Sequence, residues 1–96
     1  MSPQEYKKML QKFVNGVLSV EGFETLYLTT FKSDMGGMYH PLYEILEAVF
    51  EAVDAYWYEC KLGEETAFVI SEERLRQEVK MALNSLNDYI YDNFKK

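Results

Sequence analysis

Pro41-Leu-Tyr-Glu-Ile-Leu-Glu-Ala-Val-Phe-Glu-Ala-Val-Asp-Ala-Tyr-Trp-Tyr-Glu-Cys60 reads as a two-faced helix. Leu42, Ile45, Leu46, Val49, Phe50, Val53, Tyr56 and Trp57 recur at spacings of three and four, which places them on one side of a helix. Glu44, Glu47, Glu51 and Asp54 recur at the same spacings and fall on the opposite side. Tyr58 extends that acidic row at its C-terminal end, and His40 lies at its start. No Lys or Arg interrupts the segment. One face is expected to drive folding while the other presents a row of unpaired carboxylates to solvent.

Outward from this segment, the helical period continues on both sides. Ser2, Pro3 and Glu5 suit the N-cap, the first helical position and the reciprocal place of a capping box. Tyr6, Met9, Leu10, Phe13, Val14 and Val17 form the inward stripe of that first helix, and Gly16 is a natural stop. Ser19 caps a second helix in which Val20, Phe23, Tyr27, Thr30 and Phe31 share a face with Leu26 beside them. Lys32 to His40, with Gly36-Gly37 and ending before Pro41, reads as a loop. Beyond the central helix, Gly63 breaks the pattern and Ala67-Phe68-Val69-Ile70 is an apolar stretch that can tuck against the rest. Ser71 then caps a last helix, with Glu72 and Glu73 in its first turn and Leu75, Val79, Ala82, Leu83, Leu86 and Ile90 facing inward. Lys95 and Lys96 suit its negative C-terminal end.

Four amphipathic helices with short connections predict an all-α, single-domain, antiparallel up-and-down four-helix bundle over residues 1–96. The expected core draws on all four stripes through Phe13, Phe23, Phe50, Val53, Leu83 and Leu86, with Phe50→Ala costing about 3–5 kcal/mol. Tyr6, Tyr27 and Tyr56 are assigned to packing, and Tyr43, Tyr58 and Tyr91 to the outside or the flank.

Net charge is −6, and it is unevenly spread. Residues 1–40 balance four bases against four acids, residues 61–96 carry six bases and seven acids, and residues 41–60 carry five acids and no base. A phosphate backbone wants a basic surface, so the charge argues against nucleic acid as a partner and for a basic protein surface, or for nothing more than solubility. On composition alone, a solvated helix face is the favoured reading of the acidic row. Tyr43 and Tyr58 beside it add weight to a contact, because Tyr is enriched at binding hot spots. The candidate partner-binding residues are therefore Glu44, Glu47, Glu51, Asp54, Tyr43 and Tyr58. The double change Glu47→Lys with Glu51→Lys is expected to leave the fold intact and abolish that contact.

No catalytic or metal-binding constellation assembles from these residues, and no cofactor is implied. His40 has no Glu three residues before it, which the Glu-x-x-His ligation of di-iron bundles requires. Gly36-Gly37 lacks both the spacing and the Lys of a phosphate loop. Cys60, the only cysteine, falls on the apolar side of the helix as an inert thiol and fits a reducing compartment. The N-terminal residues lack the apolar core of a signal peptide, and no apolar run approaches the ~20 residues of a membrane span. A cytoplasmic protein without membrane contact is expected.

The order of features resembles the family of colicin-D-type bacterial self-protective immunity proteins, which includes those of contact-dependent growth inhibition systems. The resemblance covers nearly the whole chain. It rests on Tyr6-Lys-Lys-Met-Leu-Gln-Lys-Phe-Val-Asn-Gly, Ser19-Val-Glu-Gly-Phe-Glu-Thr-Leu-Tyr, Leu46-Glu-Ala-Val-Phe-Glu-Ala-Val-Asp-Ala-Tyr and Val69-Ile-Ser-Glu-Glu-Arg-Leu-Arg-Gln-Glu-Val, in that order and spacing. It implies a small helical bundle without catalysis of its own. It also implies a cytoplasmic antitoxin that binds the C-terminal nuclease domain of a cognate toxin, often a tRNase, and blocks its active site. The protein would then be a monomer alone and a heterodimer with its toxin. Contacts vary across such proteins, so the six candidate residues rest on the charge pattern and not on the resemblance. The rival reading from the residues is a helical adaptor or regulatory subunit that binds a basic peptide or another helical protein.

Overall fold

The computed structural model describes residues 1–94, so the expectation for Lys95 and Lys96 lies outside the described residues. The chain forms four α-helices, α1 (Pro3–Val14), α2 (Val20–Asp34), α3 (His40–Ala55) and α4 (Glu72–Phe94), with a 3₁₀ turn at Met35–Gly37. There is no strand among the described residues. Each helix packs on its neighbour in sequence, and α4 closes the ring against α1, giving the antiparallel four-helix bundle that the periodicity predicts. No helix among the described residues is long and apolar enough to cross a membrane.

The helix starts follow the serines. Ser2 accepts from the Glu5 amide at 3.2 Å while Glu5 accepts from the Ser2 amide at 2.9 Å, a complete capping box. The Ser19 side chain accepts from the Gly22 amide at 3.0 Å, and that of Ser71 from the Arg74 amide at 3.2 Å. Gly16 ends α1 with φ +80°, a left-handed conformation in which any other residue would be strained. The amides of Val17 and Leu18 then turn back onto the Lys12 carbonyl at 2.8 and 3.0 Å. This turn takes Val17 off the inward stripe where its spacing put it, and the side chain is exposed.

The core runs down the bundle as an aromatic column. Phe13 stacks on Phe23 at 4.2 Å between ring centroids, Phe23 meets Tyr27 at 5.5 Å, and Tyr27 meets Phe31 at 5.9 Å. Tyr6 approaches Tyr27 edge-on at 6.0 Å. Leu46, Val49, Val53, Leu75, Val79 and Leu86 close around the column and are buried. The Tyr27 hydroxyl donates to the Leu46 carbonyl at 2.7 Å, so α2 is tied to α3 and the buried phenol is satisfied. Burial pushes that phenol's pKa up.

Two residues of the expected core are displaced to its margin. Phe50 and Leu83 are half-buried, packed against the core rather than inside it. A helix flanked on two sides buries a narrower stripe than the eight apolar positions of the central segment span. On α3 that stripe is Leu42, Leu46, Val49 and Val53, with Ala52 also buried. Phe50 lies at the α2 seam, 5.3 Å from the Phe31 ring.

Arg76 on α4 locks the helix to α1. Its guanidinium lies 4.4 Å from the centre of the Phe13 ring and donates to the Phe13 carbonyl at 2.7 Å, while its Nε pairs with Glu72 at 3.0 Å. At the other end of α1, Asp34 accepts from the Tyr6 hydroxyl at 2.8 Å and from the Met1 amine at 3.0 Å. These bonds, that from Tyr6 first, hold the Asp34 carboxyl below its ordinary value of 3.8. A carboxylate whose folded pKa is depressed contributes stability that is present above its unfolded value and lost as pH falls through the folded one. Asp34→Asn is therefore expected to flatten the loss of melting temperature below pH 3.8 while lowering stability at neutral pH. Thermal melts of both proteins between about pH 2.5 and 7 check this.

Candidate functional site

The acidic row of α3 is carried on its solvent side, but it is less uniform than its spacing suggests. Glu44 is exposed and pairs with His40 one turn back, Nε2 to carboxylate at 2.9 Å. Glu47 is half-buried and accepts the Tyr43 hydroxyl at 2.6 Å. The row is thus not wholly unpaired: half of it is engaged by neighbours four residues away on its own helix. Glu51 and Asp54 are exposed, and neither enters an ion pair among the described residues. Arg74 of α4 lines the same shallow cleft as Glu51, but its Nε is taken by Glu78 at 2.8 Å.

Tyr43 sits at the edge of the core. Its ring stacks on Phe31 at 5.8 Å while its hydroxyl reaches Glu47, so it is anchored at one end and polar at the other. The hydrogen bond to Glu47, then partial burial, then the charges of Glu47 and Glu51 push its pKa up. Tyr43 buttresses the acidic face more than it projects from it.

The segment after Asp54 departs most from the sequence reading. α3 stops at Ala55, whose carbonyl accepts the Ile70 amide at 3.0 Å. Tyr56 turns extended and pairs with Ile70 in a parallel bridge, and the Trp57 amide donates to the Ile70 carbonyl at 3.2 Å. Tyr56 is half-buried there, as its assignment to packing requires in part. Trp57, placed on the inward stripe by its spacing, is instead 51% exposed. Tyr58 does not extend the helical row; it lies beyond the helix end, 66% exposed, with its ring 4.9 Å from that of Trp57. Cys60 likewise lies in the connection and not on a helix face. It is half-buried, and partial burial followed by the charges of Glu65, Glu64 and Glu73 pushes its thiol up, away from the reactive thiolate.

The connection itself is closely tied. The Ser71 hydroxyl donates to the Glu65 carboxylate, which also accepts the Gly63 amide at 2.8 Å. The Lys61 amide donates to Glu64 at 3.2 Å, and Thr66 takes the amides of Phe68 and Val69 at 3.2 and 3.1 Å. Ile70 and Val69 tuck in halfway, whereas Phe68 is 84% exposed and Leu62 63% exposed. From Asp54 to Glu73 the chain carries six acids and one base. The negative surface of α3 therefore continues onto an aromatic connection that the helical period had hidden. The tertiary bridge to Ile70 ends the helix, and no local stop residue announces it.

A family model for bacterial self-protective colicin-like immunity matches residues 1–86. The chain belongs to this family. The match takes in α1, α2, α3, the connection and most of α4, so the bundle and its acidic face both fall inside this immunity-family region. No curated protein and no solved structure matches the chain. As a colicin-like immunity protein, it has a toxin for its partner.

Proposed function

We propose that this immunity protein binds the C-terminal nuclease domain of its cognate toxin, with a tRNase the favoured kind, and blocks it by placing the acidic face of α3 in its basic active-site cleft. A nuclease that grips a phosphate backbone presents cations, and carboxylates set at helical spacing stand in for phosphates. The observation that carries this reading is the exposed pair Glu51 and Asp54, extended by Glu44 and Glu47, on a segment with no base of its own. Exposed like charges at helical spacing cost a few tenths of a kcal/mol per pair, so folding alone gives no reason to align them. The protein acts by occupancy, as a stoichiometric inhibitor without catalysis, in the cytoplasm where the toxin's substrate lies. It is a monomer alone and forms a one-to-one complex with the toxin domain.

Protection against a lethal enzyme calls for nanomolar binding or tighter, on the order of −12 kcal/mol. Such affinity is expected to fall as salt rises, because screening weakens exposed charge pairs. Co-expression with the toxin domain encoded by the adjacent gene tests the reading. Rescue of growth together with co-purification of the two proteins supports it. A folded protein that neither rescues nor co-purifies would overturn it and favour the adaptor reading.

A further inference from the structure

We infer that Trp57 and Tyr58, at the start of the α3–α4 connection, form an anchor that takes a basic side chain from the toxin's surface; this rests on the reading above and extends its contact beyond the acidic helix. Three observations meet here. The two rings lie 4.9 Å apart and tilted by 51°, and both are more than half exposed, so they present one continuous aromatic patch to a partner. The backbone beneath them is fixed: the Trp57 amide is bonded to Ile70, and the Cys60 amide to the Trp57 carbonyl at 2.9 Å. A backbone already fixed spares the contact the cost of ordering this part of the connection. The surroundings are acidic, with Asp54 in the last turn of α3 just before and Glu59 beside the Tyr58 phenol, whose pKa it raises. A ring face flanked by carboxylates attracts a guanidinium or ammonium group through both the ring quadrupole and the charge. An apolar partner would gain nothing from those carboxylates, so charge complementarity selects a basic one.

The two parts of the contact are expected to act on different rates. Exposed carboxylates steer association, whereas side chains buried at the centre of a contact hold the complex together. Replacing both rings by leucine keeps apolar side chains at both positions but removes the π faces. Trp57→Leu with Tyr58→Leu is expected to raise koff by about tenfold or more and to leave kon within a factor of about three. Glu51→Gln with Asp54→Asn is expected to lower kon instead.

The test is surface plasmon resonance against the C-terminal domain of the toxin encoded by the adjacent gene, with circular dichroism confirming that each variant is folded. A second measurement uses Trp57 as the only tryptophan of the chain. Labelling the immunity protein with 5-fluorotryptophan gives one fluorine resonance, which is expected to shift and lose solvent sensitivity when the toxin domain is added. Unchanged koff in the double leucine variant, or an unmoved fluorine resonance in the complex, overturns the anchor. If the carboxamide variant is then still slowed in association, the acidic-face reading stands without the anchor. If the unmutated protein does not bind the toxin domain at all, the anchor and the reading on which it rests both fall.

Discussion

Phe23→Ala is expected to destabilise the bundle by about 3–5 kcal/mol, the range for emptying a large aromatic site in a packed core. Phe23 is fully buried at the centre of the aromatic column, stacked on Phe13 at 4.2 Å and tilted against Tyr27 at 5.5 Å. Its removal leaves both neighbours facing a void, and Phe13 also carries the Arg76 guanidinium on its ring. The cavity would thus loosen the contacts of α2 with α1 and, through Arg76, of α1 with α4. A domain of this size has only about 5–15 kcal/mol in all, so the loss is a large share of its stability. Phe50→Ala is expected to cost clearly less, since its ring is half-buried at a seam and already shares its exposure with water. Chemical denaturation of the two variants beside the parent checks the order. A Phe50→Ala loss as large as that of Phe23→Ala would show that the α2–α3 seam, and not the column, is the centre of the core.

The physics that could be read from the sequence is local. Ser2, Ser19 and Ser71 announce three helix starts because the acceptor that satisfies each first turn belongs to the cap residue itself. The stripe Tyr6, Met9, Leu10 and Phe13 is buried as its spacing requires. The pairs His40–Glu44 and Tyr43–Glu47 were also open to reading, since both are four residues apart on one helix. The end of α3 was not legible. Tyr56 and Trp57 continue the helical period perfectly well, and only the bridge to Ile70, far along the chain, pulls the backbone extended after Ala55. The same holds for Arg76, whose grip on Phe13 spans 63 residues and leaves no mark in any local window. That helix end bears on function, because the helical period puts Trp57 on the inward face and Tyr58 on the acidic row, whereas both are exposed beyond the helix. The α2 boundary errs in the opposite direction: the helix runs on to Asp34, into the stretch read as loop, where the carboxylate is held by Tyr6 and the Met1 amine.

Reversing the charge at Glu51 and Asp54 together is expected to abolish protection while leaving the fold intact. The obvious pair from spacing, Glu47 with Glu51, is the poorer choice: Glu47 is half-buried and bonded to Tyr43, which in turn stacks on Phe31. A lysine at Glu47 would remove that acceptor and place a cation against the core margin, so lost binding could follow from lost packing. Glu51 and Asp54 are exposed and enter no ion pair among the described residues. Cations there also suit the negative C-terminal end of α3 and relieve repulsion along the row. Close charge pairs across an interface have coupling energies of about 1.5 kcal/mol or more, so losing two gives about 3 kcal/mol, or roughly a hundredfold in Kd. Reversal adds repulsion against a basic cleft, and association slows as steering changes sign. If the unmutated protein binds with the proposed nanomolar affinity, a loss of roughly a hundredfold is expected to end protection. The measurements are growth rescue and binding by Glu51→Lys with Asp54→Lys, beside its circular dichroism spectrum and melting temperature. Full protection by this folded double variant would remove the acidic face from the contact and leave the row as a solvated helix surface.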